Sequence, residues 1–311
     1  MKNCIVIYFI CLFLVIGKNE MKGQIAPDSS NGKYSFHLKT TYFEISRNEG
    51  ARISSLKMNG KEIMYVDKSG GNNNWGSTFW PSPQSAWGWP PSAILDKNPY
   101  AAITKANGVI MESGISAAPS YSFKKTFSAS NADTSISIRY TIKNHNAAVS
   151  QVAPWEITRV PSGGLTFFPR GTTPMRGALF PLMKDSIGII WFDYDSTKIP
   201  TGVPKLFSDG SEGWIAHVNN DRILLIKKFT DTPASLKAPE EDEIEIYADP
   251  TKLYVEIEQQ GAYSSLNAGA TSNWNVKWIA RKLPEGIPIE AGNQKLAHYV
   301  RSVIARQRHT K

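Results

Sequence analysis

The chain has 311 residues, a net charge of +8 and two cysteines, Cys4 and Cys11. The charge sits at the ends: Lys2, Lys18 and Lys22 face only Glu20 at the start, and Lys295, Arg301, Arg306, Arg308 and Lys311 face no acid at the finish, so the body is close to neutral. This excludes a phosphate-tracking surface and hence a nucleic-acid partner, and a body without cysteine excludes disulfides, thiolate nucleophiles and cysteine-bound metal.

In chain order, Lys2 precedes an uncharged apolar run over 5–16. That is the length of a signal peptide and too short to cross a bilayer. A leader over 1–23 is predicted, and with it a periplasmic or secreted protein with no membrane attachment after cleavage. Ile10 before Cys11 does not fit lipid attachment. A buried N-terminal strand or a short anchor is the alternative.

From residue 32 onward the pattern has period two. A strand over 42–46 leads to a turn at Asn48-Glu49-Gly50, and strands over 52–58 and 61–66 flank Asn59-Gly60, a hairpin signal because both turn residues need positive φ. Further strands are predicted over 121–128, 135–143, 187–192, 222–229, 243–247, 253–259 and 272–281. No helical pattern is interleaved, which gives an all-β fold, a large antiparallel sandwich over 24–288. Leu296, Val300 and Ile304 recur at i, i+4 and i+8, so a helix over 290–306 closes the chain, within a terminal unit of helix and basic tail at 289–311.

Residues 72–91 read as irregular. Trp75, Trp80, Trp87 and Trp89, with Phe79 and Gln84, stand among prolines that stiffen a loop and present aromatic faces at low ordering cost. Flat apolar faces beside amide groups suit a sugar ring; the alternative is a cap that packs its own tryptophans over one end of the sandwich. In 253–259, Leu253, Val255 and Ile257 share one face and Tyr254, Glu256 and Glu258 the other, either a ligand-facing surface or a solvated one. Asp193 and Asp195 are a candidate cation pair or a solvated turn. There is no nucleophile elbow, no phosphate loop and no paired-histidine metal motif, so no cofactor and no resident metal are expected.

Phe43-Glu44-Ile45-Ser46, Gly50-Ala51-Arg52-Ile53-Ser54-Ser55-Leu56 and Asn59-Gly60-Lys61-Glu62 together resemble the first strands of the aldose 1-epimerase (galactose mutarotase-like) superfamily. Val255-Glu256-Ile257-Glu258-Gln259-Gln260-Gly261, Leu266-Asn267-Ala268-Gly269 and Trp278 resemble its glutamate-bearing strand and the turn after it. With Trp80-Pro81-Ser82-Pro83-Gln84 and Trp155-Glu156, the order of motifs over most of 36–283 is similar to an exported branch of unknown function in that superfamily.

The resemblance implies a supersandwich whose concave sheet holds a carbohydrate. In mutarotases a glutamate takes the anomeric proton while a histidine protonates the ring oxygen. Glu258 matches the glutamate. No histidine stands at 154–159, where Trp155 and Glu156 occupy the place, so Glu156 or His217 is the candidate acid, with His145 a further one, and Arg159 a candidate for holding a ligand hydroxyl or carboxylate. The segment between Glu258 and Gly269 is also shorter than its mutarotase equivalent. A sugar isomerase, a binding protein without turnover and an accessory protein of polysaccharide degradation all remain open on these residues.

Overall fold

A computed structural model describes residues 23–69 and 73–307; the predicted leader, apart from Gly23, and the basic residues Arg308 and Lys311 lie outside this range. Among the described residues the strands pair antiparallel in two sheets of eleven strands each. The middle of the first sheet runs Trp214–Val218, Ile223–Lys228, Thr271–Lys282, Ser135–Asn144 and Tyr121–Ser130. The second runs Lys205–Ser208, Ile244–Ala248, Tyr254–Gln260, Ser150–Pro161, Ser77–Ser82, Arg52–Met58, Thr41–Ser46 and Lys33–Leu38, ending at Asp28–Ser30.

Alternation sets the layers, because successive side chains leave a strand on opposite faces. Phe43, Phe79, Phe127, Tyr140, Val255, Ile257 and Trp278 meet between the sheets in one large apolar core. Phe167, Trp191, Trp214, Ala216 and Leu224 leave the other face of the first sheet, and Leu296, Ala297, Val300 and Val303 of the Gln294–Arg306 helix cover them. The Asn293 side chain caps that helix by accepting from Leu296 N at 3.0 Å. The fold is therefore helix, sheet, sheet, and the outer face of the second sheet carries no helical layer among the described residues.

Asn59 and Gly60 take positive φ (50° and 79°), and Lys57 pairs with Glu62 and Met58 with Lys61 across them, as the hairpin signal predicts. The expectation of an irregular 72–91 needs correction. Ser77–Ser82 is a strand near the centre of the second sheet, buried along its length, and the described residues on either side of it within that span form no strand. It hides from periodicity because both its faces are covered: Phe79 turns into the core while Trp80 lies under the loop of Trp87 and Trp89. Gly76, at φ 63°, makes the approach possible, since a Cβ there would sit 2.4 Å from the Ile53 carbonyl oxygen.

Candidate functional site

Five neighbouring strands of the second sheet compose the site, from Lys205–Ser208 to Ser77–Ser82. In register, Trp80 pairs with Trp155, Ile157 with Glu258, Arg159 with Glu256, and Glu258 with Glu245. Since Val255 and Ile257 point into the core, Tyr254, Glu256 and Glu258 point outward, as the strand parity predicts. On the adjoining strand Trp155, Ile157 and Arg159 share that outer face, and Trp80, Trp155 and Ile157 form a small apolar cluster there with Trp87 against them.

Glu258 is fully buried. Its Oε2 accepts from Trp155 Nε1 at 2.9 Å and lies 3.4 Å from Lys205 Nζ, while its Oε1 has no partner. Lys205 Nζ is also 2.6 Å from Glu245 Oε2 and 4.9 Å from the centre of the Trp155 ring. Burial pushes the Glu258 carboxyl up to about 7 against the pull of Lys205, and burial likewise lifts Glu245 well above the carboxylate range. Burial works against the Lys205 charge, but Glu245 and Glu258 outweigh it and hold the ammonium above the ordinary lysine value.

Arg159, also fully buried, donates from Nε to Glu256 Oε1 at 2.8 Å and from Nη1 to Thr78 Oγ1 at 3.1 Å. Its Nη2 has no partner. The guanidinium lies 5.5 Å from the centre of the Trp80 ring. Trp80 Nε1 donates to Asp96 at 2.8 Å, and Asp96 in turn receives Arg52 Nη2.

The aromatic loop closes over this surface. Trp87 Nε1 donates to Pro81 O at 2.7 Å, and the backbone N–H of Gln84 donates to Glu241 Oε1 at 3.0 Å. The rings of Trp87, Trp89 and Trp155 all stand within 6 Å of Trp80, at 5.9, 5.7 and 5.5 Å. Trp89 remains 59% exposed. Trp75 lies further along, between Arg52 and Lys68, and lines a groove of about 530 Å³ with Tyr42, Glu44, Ser54 and Glu62 on the same sheet. Tyr254 OH accepts from Asn74 Nδ2 at 3.2 Å, and its ring packs on Tyr65.

Two predicted residues are not brought to Glu258. Glu156 pairs with Gln259, one position out of phase with Glu258, and therefore points between the sheets. There it accepts from Lys227 Nζ at 2.8 Å, Gln259 Nε2 at 2.6 Å, Trp278 Nε1 at 3.0 Å and the Tyr140 hydroxyl. His217 belongs to the first sheet, buried and hydrogen-bonded to Thr166 at 2.9 Å, and burial pushes it down to about 4. His145 bonds Ser122 in a turn. Asp195 accepts from Thr197 and Lys198 in a solvated turn, and no group of residues suited to a metal occurs among the described residues. Among those residues no helix is long and apolar enough to cross a membrane.

Sequence reasoning passed over Lys205 and Glu245. Glu245 was legible, since Ile244 and Ile246 alternate with Glu243, Glu245 and Tyr247, which places the glutamates outward on the predicted strand. Lys205 stands in a four-residue strand, too short for a period to show.

Two packed antiparallel sheets, with the candidate side chains on one outer face, have the architecture of a galactose mutarotase-like sandwich. Known structures agree. A putative aldose 1-epimerase from Escherichia coli K12 superposes with a TM-score of 0.57 at 9% identity, over 81% of this chain and 99% of its own. A galactose mutarotase-like protein from Lactobacillus casei gives 0.57 at 12%, over 80% and 100%. A putative aldose 1-epimerase from Klebsiella pneumoniae gives 0.55 at 11%, over 90% and 84%. No curated protein matches the sequence. The chain belongs to the family described as a domain of unknown function, DUF4380, whose pattern matches residues 65–281.

Proposed function

We propose that the protein binds an aldose over Trp80, Trp155, Arg159 and Glu258 and interconverts its anomers. One observation carries this reading: among the buried polar atoms without hydrogen-bond partners on the outer face are a carboxyl oxygen, Glu258 Oε1, and a donor, Arg159 Nη2. They stand on adjacent strands two positions apart in register, within the span of a sugar ring. Buried polar groups are nearly always satisfied, so an orphaned donor and acceptor beneath indole rings mark where a ligand's own groups complete the set. A hydroxyl can give its proton to Glu258 Oε1 while a neighbouring ring or hydroxyl oxygen accepts from Arg159. Entry requires the loop carrying Trp87 and Trp89 to lift, and few bonds hold it down.

The test is anomeric exchange followed by proton NMR across a panel of aldoses. Glu258→Gln should lower exchange by roughly 10²–10⁴-fold while binding survives. A second reading, binding without turnover, draws on the observation that no histidine bonds Glu258; binding by a wild type that exchanges no aldose would establish it. The apolar leader supports work outside the cytoplasm. Mass spectrometry of exported protein should find its first residue between Lys18 and Ile25, and an intact Met1 would overturn that location.

A further inference from the structure

Glu245 and Glu258 face each other directly across two strands, so their Cβ atoms are about 5 Å apart. Both are fully buried, and one ammonium, Lys205, serves both. If both carboxyls were ionised, a net negative charge would lie sealed from water, at a cost of several kcal/mol. Among the described residues no second cation is free to offset it. Arg159 is engaged by Glu256 on the same strand as Glu258, and Lys227, reaching from the first sheet, is engaged by Glu156. The remaining titratable neighbours, Glu241 before the Ile244–Ala248 strand and Tyr247 on it, add no positive charge. Like carboxyls in such a place resolve the conflict by retaining a proton.

The hydrogen bonds say which oxygen holds it. Glu245 Oε1 accepts from Asp242 N and Gln260 Nε2, both at 3.0 Å, and its Oε2 faces Lys205. Three donors thus surround that carboxyl and favour its ionised form, against burial and the neighbouring Glu241 carboxyl, which raise it. Glu258 Oε2 is likewise engaged, whereas Glu258 Oε1 has neither a hydrogen bond nor an ion pair; Glu245 Oε2, also without a hydrogen bond, has the Lys205 ammonium at 2.6 Å. We propose that Glu245, acting through Lys205, is a positioning residue that keeps a proton on Oε1 of Glu258 in the ligand-free protein, so that a single carboxyl does the work of both the base and the missing acid.

The step balances. Glu258 Oε1 gives its proton to the sugar's ring oxygen, and the electron pair of the breaking C1–O bond goes to that oxygen. The hydroxyl on C1 passes its proton back to the same carboxylate, its bond electrons forming the carbonyl. Closure on the other face of the carbonyl reverses each transfer and gives the other anomer, with Glu258 again protonated. This mechanism rests on the anomer-exchange reading; the location of the proton does not.

Infrared spectra of the full protein, recorded as pH passes from below to above about 7, read that proton without any sugar. The spectrum of wild type minus that of Glu258→Gln should contain a carboxylic-acid carbonyl band below this pH, and other protonated carboxyls such as Glu243 cancel in the difference. In Glu245→Gln the Glu258 band should vanish at lower pH than in wild type, because Lys205 then pairs with Glu258 alone; Glu245→Asp should restore it. In Lys205→Met the band should persist to higher pH. A band that Glu245→Gln removes and Glu258→Gln leaves intact would place the proton on Glu245 and overturn the proposal, as would a difference spectrum without a band. Should the band behave as expected while no aldose is exchanged, the proton assignment stands and the catalytic reading fails.

Discussion

Trp80 and Trp89 stand in the same aromatic group but under different physical constraints. Trp80 is 4% exposed, donates to Asp96, and meets three other indole rings. A large-to-small change at such a position leaves a cavity and removes one of the donors to Asp96, so Trp80→Ala should lower stability by about 3–5 kcal/mol in denaturant titration. Trp89, 59% exposed, should change stability by less than about 0.5 kcal/mol on truncation to alanine and weaken sugar binding by about 1–2 kcal/mol, read by calorimetry. Unchanged affinity in Trp89→Ala would remove the loop from the ligand surface. Arg159→Lys should weaken sugar binding, read by calorimetry, because the fork that reaches Glu256 and Thr78 with two nitrogens and holds a third without a partner has no ammonium equivalent.

The pleat of one strand, Ser150–Pro161, separates the candidate site from the core. Its outward residues Trp155 and Arg159 lie on the face of Glu258, and its inward residues Glu156 and Thr158 both contact Lys227, buried between the sheets. Removing one partner of a buried ion pair strands the other charge, so Glu156→Gln should cost about 3–5 kcal/mol in the unfolding midpoint. Combining it with Lys227→Met should recover much of that loss, since no charge then remains unpaired. Anomeric exchange per folded molecule should be unchanged in Glu156→Gln. A specific loss of exchange at full stability would return Glu156 to the catalytic role that its sequence position suggests.

Over these buried groups the whole molecule should be most stable near pH 4–4.5, because two raised glutamates outweigh one depressed histidine as pH rises. His217, pushed from 6.5 down to about 4 by burial, binds a proton more readily in the unfolded chain. Its contribution to stability therefore falls as pH drops from 6.5 toward 4, by about 3 kcal/mol at the lower end. Glu258 and Glu243, raised by burial to about 7 and about 8, bind protons more readily in the folded chain; their contribution is whole below the ordinary glutamate value of 4.5 and is lost as pH rises through 7 and 8. Thermal melts should show stability falling from about pH 4.5 toward 8, and His217→Gln should steepen that fall between 4 and 6.5, where the histidine partly offsets the glutamates. A profile unaltered by that substitution would mean that His217 carries a proton in the fold.

The sequence by itself determined the sheet class, the Asn59-Gly60 hairpin, the closing helix and the outward face of Tyr254, Glu256 and Glu258, since each depends on a local period or a turn's φ requirement. Tertiary structure alone decided the rest. Ser77–Ser82 is covered on both faces and so lacks the alternation that marks a strand, and Lys205 comes to Glu258 from 53 positions away through strand pairing that no local pattern encodes. Glu156 and Glu258 look interchangeable as text. They lie on adjacent strands one position out of phase, and that single step of pleat sends one carboxyl into the core and the other to the site.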